Sequence, residues 1–231
     1  MQALWDILAD NWRDLLSATW LTIQLMAISA ILGFVLAVPA ALARLSPNRF
    51  VSGTAMAYSL FFRGTPLLVQ FFLIYFGLGQ FDIVRSSFLW PFLREAYVCA
   101  LITLVLNTAA YSAEIVRGGI LAVPKGEVEA ARACGMSRLT AYRLVILPRA
   151  FSIVLPAYSN EVIILLKGTA LASTITLMEL MGQAQFIASN TYQPIQVFTI
   201  AGVIYYLLTL VITRIFAVLE KRYNRYIVTA R

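Results

Sequence analysis

The sequence predicts an all-α integral membrane protein with five transmembrane helices, its N-terminus outside and its C-terminus cytoplasmic, and its 231 residues forming a single transmembrane domain. Three observations predict it. Hydrophobic residues make up 61% of the chain and charged residues only 13%, against roughly 25% charged in a soluble domain. Mean hydropathy is +0.80. Apolar runs approaching or exceeding the roughly 20 residues that a helix needs to cross a bilayer recur five times. Lysine and arginine are also divided very unequally between the two sides those runs define.

The first run covers about 17–43 and ends at Arg44. Ahead of it Asp6, Asp10 and Asp14 stand against Arg13 alone. A cleaved signal peptide needs a basic stretch there, so this run is expected to stay as an anchor. The second run, about 58–79, is interrupted by Arg63-Gly64-Thr65-Pro66, and the third covers about 97–116. A polar segment, about 117–149, precedes the fourth run at about 150–171, and the fifth lies at about 194–218. Five crossings place the termini on opposite sides. One side then holds Arg44, Arg49, Arg117, Lys125, Arg132, Arg138, Arg143, Arg149, Arg214, Lys221, Arg222, Arg225 and Arg231, and the other only Arg13, Arg85 and Arg94. The positive-inside rule makes the first side cytoplasmic.

Several classes are disfavoured. The basic residues form no continuous patch, so nucleic acid is not the expected partner despite a net charge of +7. The chain has no histidine, and Cys99 and Cys134 fall in separate segments without a C-x-x-C, so neither a metal site nor a disulfide is expected. No nucleophile–base set is evident. No internal repeat is visible and five spans do not halve, which argues against a secondary transporter built from repeats. Five helices make a thin wall for a solute path, so a dimer with the path at the subunit interface is expected.

The polar segment reads as two short helices hinged on a glycine. Val123-Pro124-Lys125-Gly126 ends the third span, and Glu127 and Glu129 follow in a first turn, where acids complement the helix dipole. Ala130, Ala131 and Ala133 favour helix and give a small-residue face. Gly135 suits a left-handed C-terminal position. Ser137 suits an N-cap for a second helix to about Leu147, with Pro148 marking the passage into the fourth span. The residues alone leave two readings: an amphipathic surface whose arginines meet anionic lipid, or a docking site for a partner protein.

Glu129-Ala130-Ala131, then Gly135, then Val145-Ile146-Leu147-Pro148 resembles the EAA loop of ABC-importer permeases, with Val145 in place of the usual isoleucine. Arg63-Gly64-Thr65-Pro66-Leu67-Leu68-Val69-Gln70 and Asn107-Thr108-Ala109-Ala110-Tyr111-Ser112-Ala113-Glu114 resemble the polar amino acid branch, and the likeness runs from Thr19 to Arg222. It implies a multi-pass subunit of the bacterial inner membrane in an ATP-driven importer. Implied partners are two cytoplasmic ATPases, a second permease, usually unlike, and an external solute-binding protein. Glu129, Ala130, Ala131, Gly135, Leu147 and Pro148 would form the coupling surface for the ATPase. The chain has no G-x-x-x-x-G-K-[ST], so it holds no cofactor of its own and Mg-ATP belongs to the partner. The alternative from another class is a stand-alone amino acid channel or facilitator with a lipid-binding loop.

Ionisable groups at membrane depth default to functional candidates. Arg63 is expected to brace the helix break or snorkel. Glu114 shares a face with Asn107 and Tyr111 and stands three residues before Arg117, so a structural pair and a substrate contact both remain open. Glu161 follows Ser159 and Asn160 midway along the fourth span, one turn after Pro156, which is expected to interrupt the helix there. Lys167 points elsewhere on that helix. Glu161 reads either as a substrate contact, with a basic solute as its cation, or as a structural partner to another helix. The segment Pro156–Val162 resembles histidine, arginine/ornithine and opine importers, which implies a substrate site of Glu161, Asn160, Ser159 and Glu114. Some relatives carry an acid after the lysine, where this chain has Gly168.

Overall fold

The computed structural model describes residues 2–223, with side chains from Trp5 onward. Arg225 and Arg231 of the cytoplasmic set lie outside the described residues. The described chain is helical throughout, with no strand.

Helix α1 (Gln2–Arg44) carries the first apolar run and the acidic stretch before it. At 1.5 Å per residue it is roughly 64 Å long, about twice the hydrocarbon thickness. Its early turns fold because Ile7 and Leu15 find an apolar seat against Leu180, Ala184, Ile187, Val197 and Ala201. Helix α2 (Arg49–Gly64) starts at Asn48, whose side chain accepts from the Phe50 N–H at 2.9 Å. It stops where proline forces the preceding residue out of helical backbone, and Thr65 is extended at φ −110, ψ 145. Helix α3 (Leu67–Phe72) runs on through a π turn, Leu73–Gly77, and a 3-10 turn, Leu78–Gln80. The segment expected at 58–79 is therefore no straight rod: Arg49–Gly64 and Leu67–Gln80 meet at 105°.

Two short helical turns, α4 (Asp82–Arg85) and α5 (Trp90–Leu93), lead to α6 (Ala96–Leu121), the centre of the bundle. Small residues let its neighbours close in. Ala109, Ala110 and Ala113 are wholly buried. A Cβ on Gly33 of α1 would run into the Thr108 methyl, and one on Gly119 into Val154. The loop helices are α7 (Lys125–Ala133) and α8 (Arg138–Ala141). A π turn, Tyr142–Ile146, joins α8 directly to α9 (Leu147–Gly168), which a 3-10 stretch extends to Ile175. Then come α10 (Leu180–Thr191) and α11 (Pro194–Tyr223).

Pro148 stands in the first turn of α9, where the passage into the fourth span is expected, and residues 138–175 are helical without a break. The widened turn at 142–146 lies where Pro148 cannot donate to the preceding turn. One expectation changes: Pro156 does not interrupt α9, which continues through it. The proline only removes one ladder bond, to the Ser152 carbonyl, and packing holds the helix on both sides of it. Four helices are long and apolar enough to cross a membrane, five when the bent pair counts as one span.

Candidate functional site

The α2–α3 bend opens beside α6 and α9, and its backbone is held by one side-chain network. Gln70 Nε2 donates to the carbonyls of Phe62 at 2.8 Å and Thr65 at 3.1 Å, and to the Thr65 hydroxyl at 2.8 Å. Asn107 Nδ2 of α6 donates to Gln70 Oε1 at 3.0 Å and to the Phe62 carbonyl at 3.1 Å. The Phe62 and Thr65 carbonyls at the break are thereby satisfied by side chains, which a break at membrane depth requires. Arg63 sits 5.4 Å above the Tyr111 ring, and the Tyr111 hydroxyl reaches the Arg63 carbonyl at 3.4 Å. Arg63 thus braces the bend from its exposed side.

Under the bend lies a cavity of about 130 Å³ lined by Thr65, Leu67, Asn107, Tyr111, Glu161, Ile164 and Leu165. Glu161 is 5% exposed. Thr108 Oγ1 donates to its Oε1 at 3.0 Å, and among the described residues it has no ion-pair partner. A buried carboxylate with a single hydroxyl donor keeps unused acceptor capacity facing that cavity.

The other acids differ. Glu114 is clamped between Arg44 Nε and Arg117 Nε, each at 2.9 Å from one carboxylate oxygen. It does not line the cavity, although Asn107 and Tyr111 on its helix do. Of its two sequence readings, the geometry carries the structural pair. Glu179 is wholly buried and fully partnered. It caps α10 through the Gly182 N–H at 2.9 Å and accepts from Thr22 at 3.3 Å and Tyr205 at 3.0 Å, tying α10 to α1 and α11. The sequence reading gave Glu179 no role.

The triplet 159–161 does not converge. Successive helical residues turn by about 100°, so Ser159 is buried away from the cavity wall, Asn160 is exposed, and only Glu161 enters the cavity. Asn160 shares its exposed stripe with Ile164 and Lys167. At Gly168 a Cβ would stand 3.1 Å from Leu67 Cδ2, and Leu67 walls the cavity.

The second candidate surface is the charged loop. Gly135 adopts φ +76 at the end of α7. Its N–H donates to Arg132 O at 2.9 Å and the Met136 N–H to Ala131 O at 3.1 Å, so the chain reverses without orphaned carbonyls. Ser137 Oγ accepts from the Thr140 N–H at 3.2 Å and caps α8. Glu129, Ala130, Gly135, Leu147 and Pro148 are exposed, whereas Ala131 is 4% exposed and packs inward. Glu127 pairs with Arg149 at 3.1 Å, strapping α7 to the first turn of α9. Sequence reasoning missed Leu139 and Leu144, which are 79% and 62% exposed beside a cleft of about 350 Å³ under Arg132, Met136 and Tyr142. An adjacent arginine in sequence masked each of them as part of a polar face.

Comparison with known proteins agrees with this architecture. The family described as "Binding-protein-dependent transport system inner membrane component" matches residues 29–225. The octopine transport system permease protein of Rhizobium meliloti is 53% identical over 211 residues, covering 91% of this chain and 86% of the relative. The nopaline transport system permease protein of Agrobacterium fabrum is 48% identical, covering 93% and 90%. The histidine/lysine/arginine/ornithine transport system permease protein of Escherichia coli K12 is 41% identical, covering 96% and 97%. Among solved structures, a crystal structure of an amino acid ABC transporter with histidines superposes with a TM-score of 0.83 at 35% identity, covering 93% of this chain and 96% of that one.

Proposed function

Because the chain belongs to the family of binding-protein-dependent transport system inner membrane components, and so is a permease subunit of an ABC importer, we propose that it carries polar amino acids bearing a positive charge, or opines derived from them. Relatives named for octopine, nopaline and histidine/lysine/arginine/ornithine transport support that cargo class. The observation that carries it is Glu161: a buried carboxylate, with no ion-pair partner within 4.0 Å among the described residues, aimed into a cavity beside a helix break. A guanidinium or ammonium group passing the bend would complete its charge balance. Glu161 is thus the specificity contact of the proposal, with Asn160 on the neighbouring exposed face and Ser159 supporting the helix.

Lys167 and Asn160 stand on a face of α9 that nothing among the described residues covers. A lysine against lipid tails is costly, which supports a second permease across that face with the solute path between the two. On this reading the N-terminus is external and the charged loop cytoplasmic. The loop docks a separate ATPase through Glu129, Ala130, Gly135, Leu147 and Pro148, with Leu139 and Leu144 as apolar anchors. Ala131 seats α7 on the bundle. The rigid run from α8 into α9 would pass a displacement of the loop straight to Glu161. The chain's own part is to gate and orient; Mg-ATP chemistry belongs to the partner. An external binding protein would deliver the cargo.

The test is purification of the tagged chain from its native membrane in mild detergent, with mass spectrometry of what accompanies it. A nucleotide-binding ATPase and a second permease are expected. Recovery of the chain alone, in detergents that preserve other importers, would refute the coupled reading and favour a self-sufficient channel.

A further inference from the structure

Residues 81–95 join the end of the α3 rod to the start of α6, at the end of the bundle opposite the charged loop, and their surface is unlike that of a water-facing connection. Five large apolar side chains point outward: Phe81, Ile83, Phe88, Leu89 and Phe92, with Ile83 at 86% and Phe88 at 85% exposure. The backbone beneath them is satisfied internally. Arg85 N–H donates to Phe81 O, Ser86 N–H to Asp82 O, Trp90 N–H to Ser87 O and Arg94 N–H to Trp90 O, all at 2.9–3.1 Å. Even the serine hydroxyls bond back, Ser86 to Asp82 O at 2.8 Å and Ser87 to Val84 O at 2.7 Å. Trp90 packs on Gly79, and the Cys99 thiol holds the Leu93 carbonyl at 3.0 Å, which fixes the segment against the two spans.

A segment that presents large apolar side chains and pairs its backbone and hydroxyl groups internally is built for an interface rather than for water. We propose that residues 81–95 lie in the boundary between headgroups and acyl chains of the bilayer, as an amphipathic anchor for the α3–α6 corner. Both ends of the segment are fixed to the spans Leu67–Gln80 and Ala96–Leu121. The charged groups, Asp82, Arg85, Arg94 and Glu95, balance to zero, and Arg94 already pairs with Glu95 at 3.6 Å. Anchoring therefore comes from the apolar side chains, with Arg85 free to reach lipid phosphate. The anchored corner ends the rod Leu67–Gln80, whose other end forms the bend that walls the Glu161 cavity, so the segment sets where the outer end of that rod sits. The inference requires only that the chain spans a bilayer; it stands or falls independently of the cargo.

The test uses the assembled complex in lipid nanodiscs, in a Cys99→Ser, Cys134→Ser background, with spin labels at Ile83→Cys, Phe88→Cys and Phe92→Cys. Arg49→Cys at the α1–α2 turn, exposed and outside the proposed ATPase-docking surface, serves as the aqueous reference. Labels in the anchor should collide readily with oxygen and be shielded several-fold from a water-soluble nickel chelate relative to position 49, with or without the external binding protein. Nickel access equal to that at position 49 would overturn the proposal. So would labels shielded from both reagents, and their cross-linking to the binding protein or the second permease would assign the surface to a protein partner instead.

Discussion

Replacing Glu161 by glutamine removes the charge and almost nothing else. The glutamine side chain has the same length, and its amide oxygen can still accept from the Thr108 hydroxyl, which stands 3.0 Å from the carboxylate. The swap leaves no cavity, and bundle stability should change by less than about 1 kcal/mol, in line with the modest net worth of a neutral hydrogen bond. The effect on transport should be far larger. A charge-assisted hydrogen bond contributes about 1.5–3 kcal/mol. At about 1.4 kcal/mol per factor of ten, losing it lowers apparent affinity for arginine by about ten- to a hundred-fold. The assay is ATP-driven uptake of labelled arginine into proteoliposomes holding the complete complex, with thermal stability and basal ATPase activity measured alongside. Glu161→Asp should recover part of the loss. Unchanged arginine uptake by a Glu161→Gln complex of normal stability would remove the carboxylate from the substrate path. An equal fall in stability and transport would make it a structural group.

Other consequences follow from the same geometry. Gly168→Asp adds a second carboxylate against Leu67 at the cavity wall, and its uptake profile should shift toward dibasic cargo, measured by competition among arginine, ornithine and octopine. Gly33→Ala drives a methyl into the Thr108 side chain; overpacking costs about 1–3 kcal/mol, so a thermal unfolding scan should show a lower midpoint. Glu129→Lys, at an exposed position, should leave the bundle folded yet abolish substrate-stimulated ATPase activity while basal hydrolysis by the partner persists. Gly135→Asp strains the φ +76 turn by about 1–2 kcal/mol and should weaken co-purification of the ATPase, read by quantitative pull-down.

The helical class, the apolar runs and the family were all legible before any coordinates, because hydrophobicity and motif spacing are written residue by residue. So was the loop hinge: Gly135 takes the left-handed turn and Ser137 caps the helix after it, both from local backbone needs. The sequence reading erred at Pro156, which reads as a break, but propensity is a local quantity and α9 continues through it, while Pro148 stands in the first turn of α9 as expected. At Pro66, preceded by Gly64 and extended Thr65, the chain does turn, through 105°.

Partnership was the other thing the chain could not state. Glu114, Glu161 and Glu179 are alike in sequence, each an acid among apolar residues. Folding brings Arg44 from seventy positions away to Glu114 and Tyr205 to Glu179, and gives Glu161 a threonine as its one side-chain hydrogen-bond partner among the described residues. Sequence by itself placed Glu114 and Glu161 on their helices and gave no such place to Glu179. Which of them is left with unspent charge was decided by the packing of α1, α6, α9 and α11, because burial and ion pairing arise between segments far apart in the chain.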